Sequence, residues 1–174
     1  MGTRPTIFLD RDGVINRDIP NYVKRWEEFE LLPGVFDALG WLYGEGYQLI
    51  IVTNQSCINR GLCDAEDVEE IHNRLASTLL EKGVVLTATF CCPHRPDEKC
   101  KCRKPEEGMF EAAIRLHDVD MTRSWVLGDS DTDVEAARRL GCRYVRVEKN
   151  GNLLESLKNA RDLFSPNVGF DKSR

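Results

Sequence analysis

The chain has 174 residues, 41% of them hydrophobic and 30% charged, enough for a sizeable core and too apolar for a disordered chain. Asp and Glu outnumber Lys and Arg by 29 to 24, and the resulting charge of -5 argues against a nucleic-acid partner. The most apolar stretch, Leu49 to Val52, is far too short to span a bilayer, so no membrane partner is expected.

Thr6 to Leu9 is a short β-rich run ending at Asp10. After Pro33-Gly34, Val35, Ala38, Leu39 and Leu42 recur at helical spacing until Gly44 and Gly46 stop them. Tyr47 to Val52 reads as a strand buried on both faces. Asp64 offers an N-cap to a long helix that shows Val68, Ile71, Leu75 and Leu79 on one face and ends at Gly83. A third strand, Leu86 to Cys92, leads into a cysteine-rich loop. A helix from about Glu107 to His117, a strand Trp125 to Leu127, a helix from about Thr132 to Leu140 and a strand Tyr144 to Val147 follow. Leu153 to Phe164 predicts a last helix, and the polar tail 165–174 is expected to be frayed.

Strands alternating with helices, with no hairpin signal, predict an α/β doubly wound, Rossmann-like parallel sheet in one domain spanning 1–174. Ligands of such sheets bind at the carboxyl ends of the strands, and every polar motif here falls just after one. Met1 to Thr6 has no apolar segment, so a cytoplasmic location is expected, with the 7 cysteines mostly reduced.

Asp10-Arg11-Asp12-Gly13 places two carboxylates at a buried strand end, where they repel unless a cation lies nearby. It reads either as an ordinary Asp/Gly turn or as a nucleophile, Asp10, beside a general acid and base, Asp12. Thr53-Asn54-Gln55-Ser56 is either a polar turn or a phosphoryl-binding hydroxyl on Thr53. Arg103-Lys104-Pro105 is either a solvated basic turn or a charge screen, Lys104, beside a bidentate anchor, Arg103. Asp129, Asp131 and Asp133 crowd the start of a helix. Asp129 is expected to ligate a hard cation such as Mg²⁺, Asp133 to support it and Asp131 to stay peripheral, although part of the cluster also suits helix capping. Cys92, His94, Cys100 and Cys102 give three thiols and an imidazole within eleven residues, a set that suits structural Zn²⁺. Cys57, Cys63 and Cys142 are expected to be free, and His72 and His117 to be ordinary surface or boundary residues.

These four strand-end motifs, in this order, resemble the haloacid dehalogenase superfamily of phosphohydrolases from Ile7 to about Val147. The resemblance implies an Mg²⁺-dependent phosphatase working through an aspartyl-phosphate on Asp10. It implies a metal held by Asp10, the Asp12 backbone carbonyl and Asp129, with Thr53 and Lys104 stabilising the phosphoryl group. Cys92-Pro93-His94 with Cys100-x-Cys102-Arg103-Lys104-Pro105 resembles the zinc-loop branch, which contains heptose bisphosphate 7-phosphatases and histidinol-phosphate phosphatases. The run from Thr53 to Ser56, continuing through Ile58 to Arg60-Gly61, is similar to the heptose side, which implies a phosphorylated sugar as substrate. Asp18, Asn54, Arg60 and Arg103 become substrate contacts by the same likeness. Too few residues separate the motifs for a large cap domain, so a capless monomer is expected. Two departures stand out: Cys57 occupies a glycine position of the branch, where its Cβ would intrude on the pocket, and Ser130 replaces a lysine usual in the heptose enzymes.

Overall fold

The computed structural model describes residues 2–160 and Phe164. Its strands are β1 (Thr6–Leu9), β2 (Gln48–Asn54), β3 (Ala88–Cys92), β4 (Trp125–Gly128) and β5 (Arg143–Arg146). Its α-helices are α1 (Val35–Gly44), α2 (Ala65–Glu81), α3 (Gly108–His117), α4 (Asp131–Arg139) and α5 (Leu153–Asn159). The strands form one sheet in the order β3-β2-β1-β4-β5, and every pair is parallel. β1 is central, with Phe8 opposite both Ile50 and Val126.

The near-continuous apolar character of β1 and β2 follows from cover on both faces. Successive side chains point to opposite sides. Ile7, Leu9, Leu49 and Ile51 therefore join Ala38 and Leu42 of α1 and Leu157 of α5 in one core cluster. Phe8, Ile50, Val52 and Val126 join Phe110 of α3 and Ala136 of α4 in the other. Phe8 and Phe110 meet edge to face at 5.2 Å. Truncating Leu9 or Ile51 to Ala would cost about 2–5 kcal/mol, the usual penalty for a cavity in a closed core.

From β1 the chain winds outward to β2 and β3, then crosses to β4 and β5 on the other side. The order reverses beside β1, so a crevice opens at the carboxyl ends of β1 and β4. The predicted boundaries shift slightly. β3 starts at Ala88 rather than Leu86, and β5 stops at Arg146, although the Val147 N–H still reaches the Gly128 carbonyl at 2.9 Å. α4 begins at Asp131 because Ser130 caps it, in a reciprocal box with Asp133. α5 ends at Asn159; the predicted continuation through 161–163 and the tail 165–174 lie outside the described residues. Gly34 precedes α1 at φ 75°, and a side chain there would collide with Asn152. Among the described residues no helix is long and apolar enough to cross a membrane.

Candidate active site

Asp10 leaves the end of β1 with its N–H on the Leu127 carbonyl of β4 at 2.9 Å, which fixes it at the sheet's switch point. Its Oδ1 accepts the Arg11 N–H at 2.8 Å and pairs with Lys104 Nζ at 2.9 Å. Lys104 is buried, and the same ammonium reaches Asp133 Oδ1 at 2.7 Å. Asp133 in turn accepts the Ser130 hydroxyl at 2.5 Å, so the helix cap also aims the carboxylate. The main chain of Lys104 is clamped by Asn54: Lys104 N–H donates to Oδ1 at 3.0 Å, and Nδ2 donates to the Lys104 carbonyl at 3.2 Å. Asn54, expected to touch substrate, spends its amide holding the lysine instead. It still lines the cleft, which has a volume of about 520 Å³.

Asp10, Asp129 and Asp133 bring carboxylate oxygens within 4.8 Å of one another. Gly13, at φ 82°, lets the first loop close on Asp129, since any Cβ would strike that carboxylate. The crowding shows in the acidities. Burial raises the Asp10 carboxyl from 3.8 to about 7; Lys104 opposes the rise and Asp133 adds to it. Asp129 is likewise raised, by burial and then by Asp133, with Lys149 pulling the other way. Lys104 is raised in spite of burial, because Asp10 and Asp133 outweigh the desolvation. Hard oxygen donors that disfavour their own charges fit a small divalent cation such as Mg²⁺, which would be held by Asp10 and Asp129.

Asp12 also lines the cleft, with its side chain 21% exposed. Both of its oxygens accept Arg11 Nη2, at 2.9 and 3.0 Å. Asn16 Nδ2 reaches Oδ1 at 2.9 Å and Gln55 Nε2 reaches Oδ2 at 2.5 Å. Burial pushes the Asp12 carboxyl up, but the Arg11 charge and these hydrogen bonds outweigh it, leaving a net lowering. Neighbouring carboxyls thus part in acidity, a separation common where acid–base chemistry is done.

The cysteine loop closes as expected. The Cys92, Cys100 and Cys102 sulfurs lie 3.2–3.7 Å apart, and His94 Nδ1 lies 3.5 Å from Cys92 and 3.2 Å from Cys102. A tetrahedron with Zn–S bonds of about 2.3 Å has edges only slightly longer, so the donor set fits Zn²⁺. The Arg103 N–H donates to the Cys100 sulfur at 3.3 Å, and Arg103 Nη1 donates to the His94 carbonyl at 3.0 Å. The loop therefore carries Arg103 and Lys104 directly into the cleft.

Beyond Asn54, three expectations change and a fourth residue gains an unforeseen partner. Thr53 is buried below the cleft, and its hydroxyl accepts Gln55 Nε2 at 2.9 Å. Arg60 sits outside the cleft lining, with Nε 3.4 Å from the Ser56 hydroxyl. Cys57 is wholly buried with its sulfur toward the Gln55 carbonyl and Oε1, so it does not intrude on the pocket. His72 is half-buried at the boundary, as expected, but its Nε2 also lies 3.2 Å from Arg11 Nη1, a partner that helical spacing did not foretell. Asp18 does line the cleft, but it is ion-paired with Lys149. Lys149 was missed by the sequence reading, although its place just past β5, a strand end, was the available signal. Beside the cleft a groove of about 580 Å³ shares Arg103, Lys104 and Thr132 and adds Arg95, Lys99 and Lys101.

A family model described as HAD-hydrolase-like matches residues 101–168. A Thermoplasma acidophilum protein, named a probable D-glycero-D-manno-heptose-1,7-bisphosphate 7-phosphatase, is 43% identical over 143 residues, 82% of this chain and 89% of that one. The D-glycero-beta-D-manno-heptose-1,7-bisphosphate 7-phosphatase of Bordetella bronchiseptica is 41% identical over 136 residues, 78% of this chain and 76% of that one. The crystal structure of D,D-heptose 1,7-bisphosphate phosphatase from B. bronchiseptica, complexed with magnesium and phosphate, superposes with a TM-score of 0.79. That match is 39% identical and covers 89% of this chain and 86% of the other.

Proposed function

The chain belongs to the haloacid dehalogenase-like hydrolases, among the heptose bisphosphate phosphatases, and we propose that it removes the 7-phosphate of D-glycero-D-manno-heptose 1,7-bisphosphate. The likeness to the heptose bisphosphate phosphatases supports the substrate, and the observation that carries the chemistry is the Lys104 ammonium bridging Asp10 and Asp133, with Asp129 alongside. Phosphoryl transfer asks for in-line positioning and neutralised charge, and this arrangement offers both.

Asp10 Oδ1 is held by the Arg11 N–H and by Lys104, which leaves Oδ2 as the oxygen without a protein partner among the described residues. Asp10 attacks phosphorus and the bond to the sugar oxygen breaks. Asp12 gives that oxygen its proton. A water then attacks the aspartyl-phosphate, Asp12 takes the water's proton, and inorganic phosphate leaves beside the freed sugar hydroxyl. In the free protein Arg11 keeps Asp12 a carboxylate; a dianionic phosphate brought next to it favours the protonated form that the first step needs. Magnesium, when bound by Asp10 and Asp129, supplies neutralisation of the phosphoryl oxygens. Zn²⁺, held by Cys92, His94, Cys100 and Cys102, would pin the Arg103-Lys104 segment. The proposal includes a monomer working in the cytoplasm, with Asp18, Arg103 and Lys149 along the path of the sugar.

Purified protein with Mg²⁺ is expected to release phosphate from the heptose bisphosphate with a kcat/KM well above that for histidinol phosphate. A preference for histidinol phosphate would overturn the substrate, and turnover of neither would overturn the activity.

A further inference from the structure

We propose that His72 is a positioning residue for Asp12, acting through the buried Arg11 guanidinium; this rests on Asp12 being the acid–base group of the reading above. Arg11, between Asp10 and Asp12 in the catalytic loop, is completely buried. One end of its guanidinium, Nη2, holds both Asp12 oxygens, and the other, Nη1, meets His72 Nε2 on α2 at 3.2 Å. Arg11 Nε has no hydrogen-bond partner among the described residues. Its remaining support is the Phe29 ring, with the guanidinium carbon 6.0 Å from the centroid. Among the described residues, His72 is thus the one hydrogen-bond acceptor on the far end of the fork that aims Asp12.

Arginine has only donors, so the contact requires an unprotonated Nε2 on His72, with any ring proton on Nδ1. Burial, and then the Arg11 charge, push the His72 ring down to about 3, which keeps that lone pair available at neutral pH. Without the acceptor, Nη1 becomes a second unsatisfied buried donor beside Nε, and the guanidinium gains reason to turn. Asn16 and Gln55 would still hold Asp12 from one side each, so the carboxyl would stay near the cleft but lose its fixed aim. General-acid work is sensitive to such a loss, because the proton has to lie on the leaving oxygen as the P–O bond breaks.

Leaving-group dependence separates this role from a structural one. A sugar alkoxide needs its proton, whereas p-nitrophenolate leaves without one. His72→Leu is expected to lower kcat/KM for the heptose bisphosphate about ten- to a hundredfold, while kcat/KM for p-nitrophenyl phosphate, which counts the steps through phenolate release and not the water attack that Asp12 also serves, changes less than about threefold. His72→Gln, whose amide oxygen can accept from Arg11, should restore the sugar phosphate to within about threefold of wild type. If the leucine variant does not fold, His72→Met carries the same test with a flexible apolar chain. Equal losses of kcat/KM on both esters, or no loss on the sugar phosphate, would overturn the proposal. Failure of the enzymatic reading is separately visible, because the wild-type protein would then turn over neither ester.

Discussion

The molecule gathers candidate metal ligands in two places, and it builds them in opposite ways. The zinc-type set comes from one loop of eleven residues, Cys92 to Cys102, so its ligands are neighbours before the sheet forms. The carboxylate set is drawn from the ends of β1 and β4 and the first turn of α4, and its ammonium comes from just beyond that loop. One cluster uses soft sulfur and closes on itself; the other uses hard oxygen and faces a cleft. Lys104 joins them, only two residues beyond Cys102. The comparison teaches a division of labour, in which a local, closed site holds still the cation that an open, non-local site needs.

The sharpest way to break this division is to damage each cluster alone. Asp129→Asn should lower kcat/KM about a thousandfold or more, since it removes a hard ligand where phosphoryl charge must be offset. The raised pKa of Asp129, caused by burial and then by Asp133, says that its charge is unfavourable in the metal-free fold. Its melting temperature without Mg²⁺ should therefore be unchanged or higher, and a clear fall would contradict the account. Cys102→Ser should do the reverse in emphasis. Loss of a zinc ligand is expected to lower the melting temperature by on the order of 10 °C and activity by about ten- to a hundredfold. Metal analysis should fall below one zinc per chain. A variant that melts like wild type would remove zinc from the story.

The smallest effect concerns pH. Asp10 is raised from 3.8 to about 7, so in the metal-free protein the folded state binds more protons than the unfolded one in that interval. Its stabilising contribution is full below 3.8 and is lost as pH rises through about 7. Mg²⁺ competes with that proton. The rise in melting temperature on adding Mg²⁺ should thus be larger at about pH 8 than at about pH 5, by a few degrees. An equal rise at both would mean that Asp10 is not titrating beside the cation.

The same contrast explains what the sequence disclosed. The strand ends and the zinc loop were legible because they depend on chain neighbours: an apolar run stopped by Asp10, or thiols and an imidazole spaced around one turn. The pairing of Lys104 with Asp10 was expected only on condition that both face one cleft, which nothing in residue order could decide. Arg60 and Thr53 show the limit. Both belong to a motif read as following the strand, yet β2 runs on through Asn54 and buries the Thr53 side chain, and the turn beyond it leaves Arg60 outside the cleft. The boundary position of His72 was legible, but helical spacing does not tell that the buried Arg11 lies against it. Lys149 was missed because a lone lysine after the last strand looks like any solvated charge until Asp18 is seen opposite.

The most direct test is a rapid acid quench of a single turnover with ³²P-labelled heptose bisphosphate, followed by peptide mapping. The account predicts a transient phosphoryl group on Asp10, released by hydroxylamine and absent from Asp10→Asn. Phosphate appearing with no label ever on Asp10, or labelling that survives in Asp10→Asn, would contradict it.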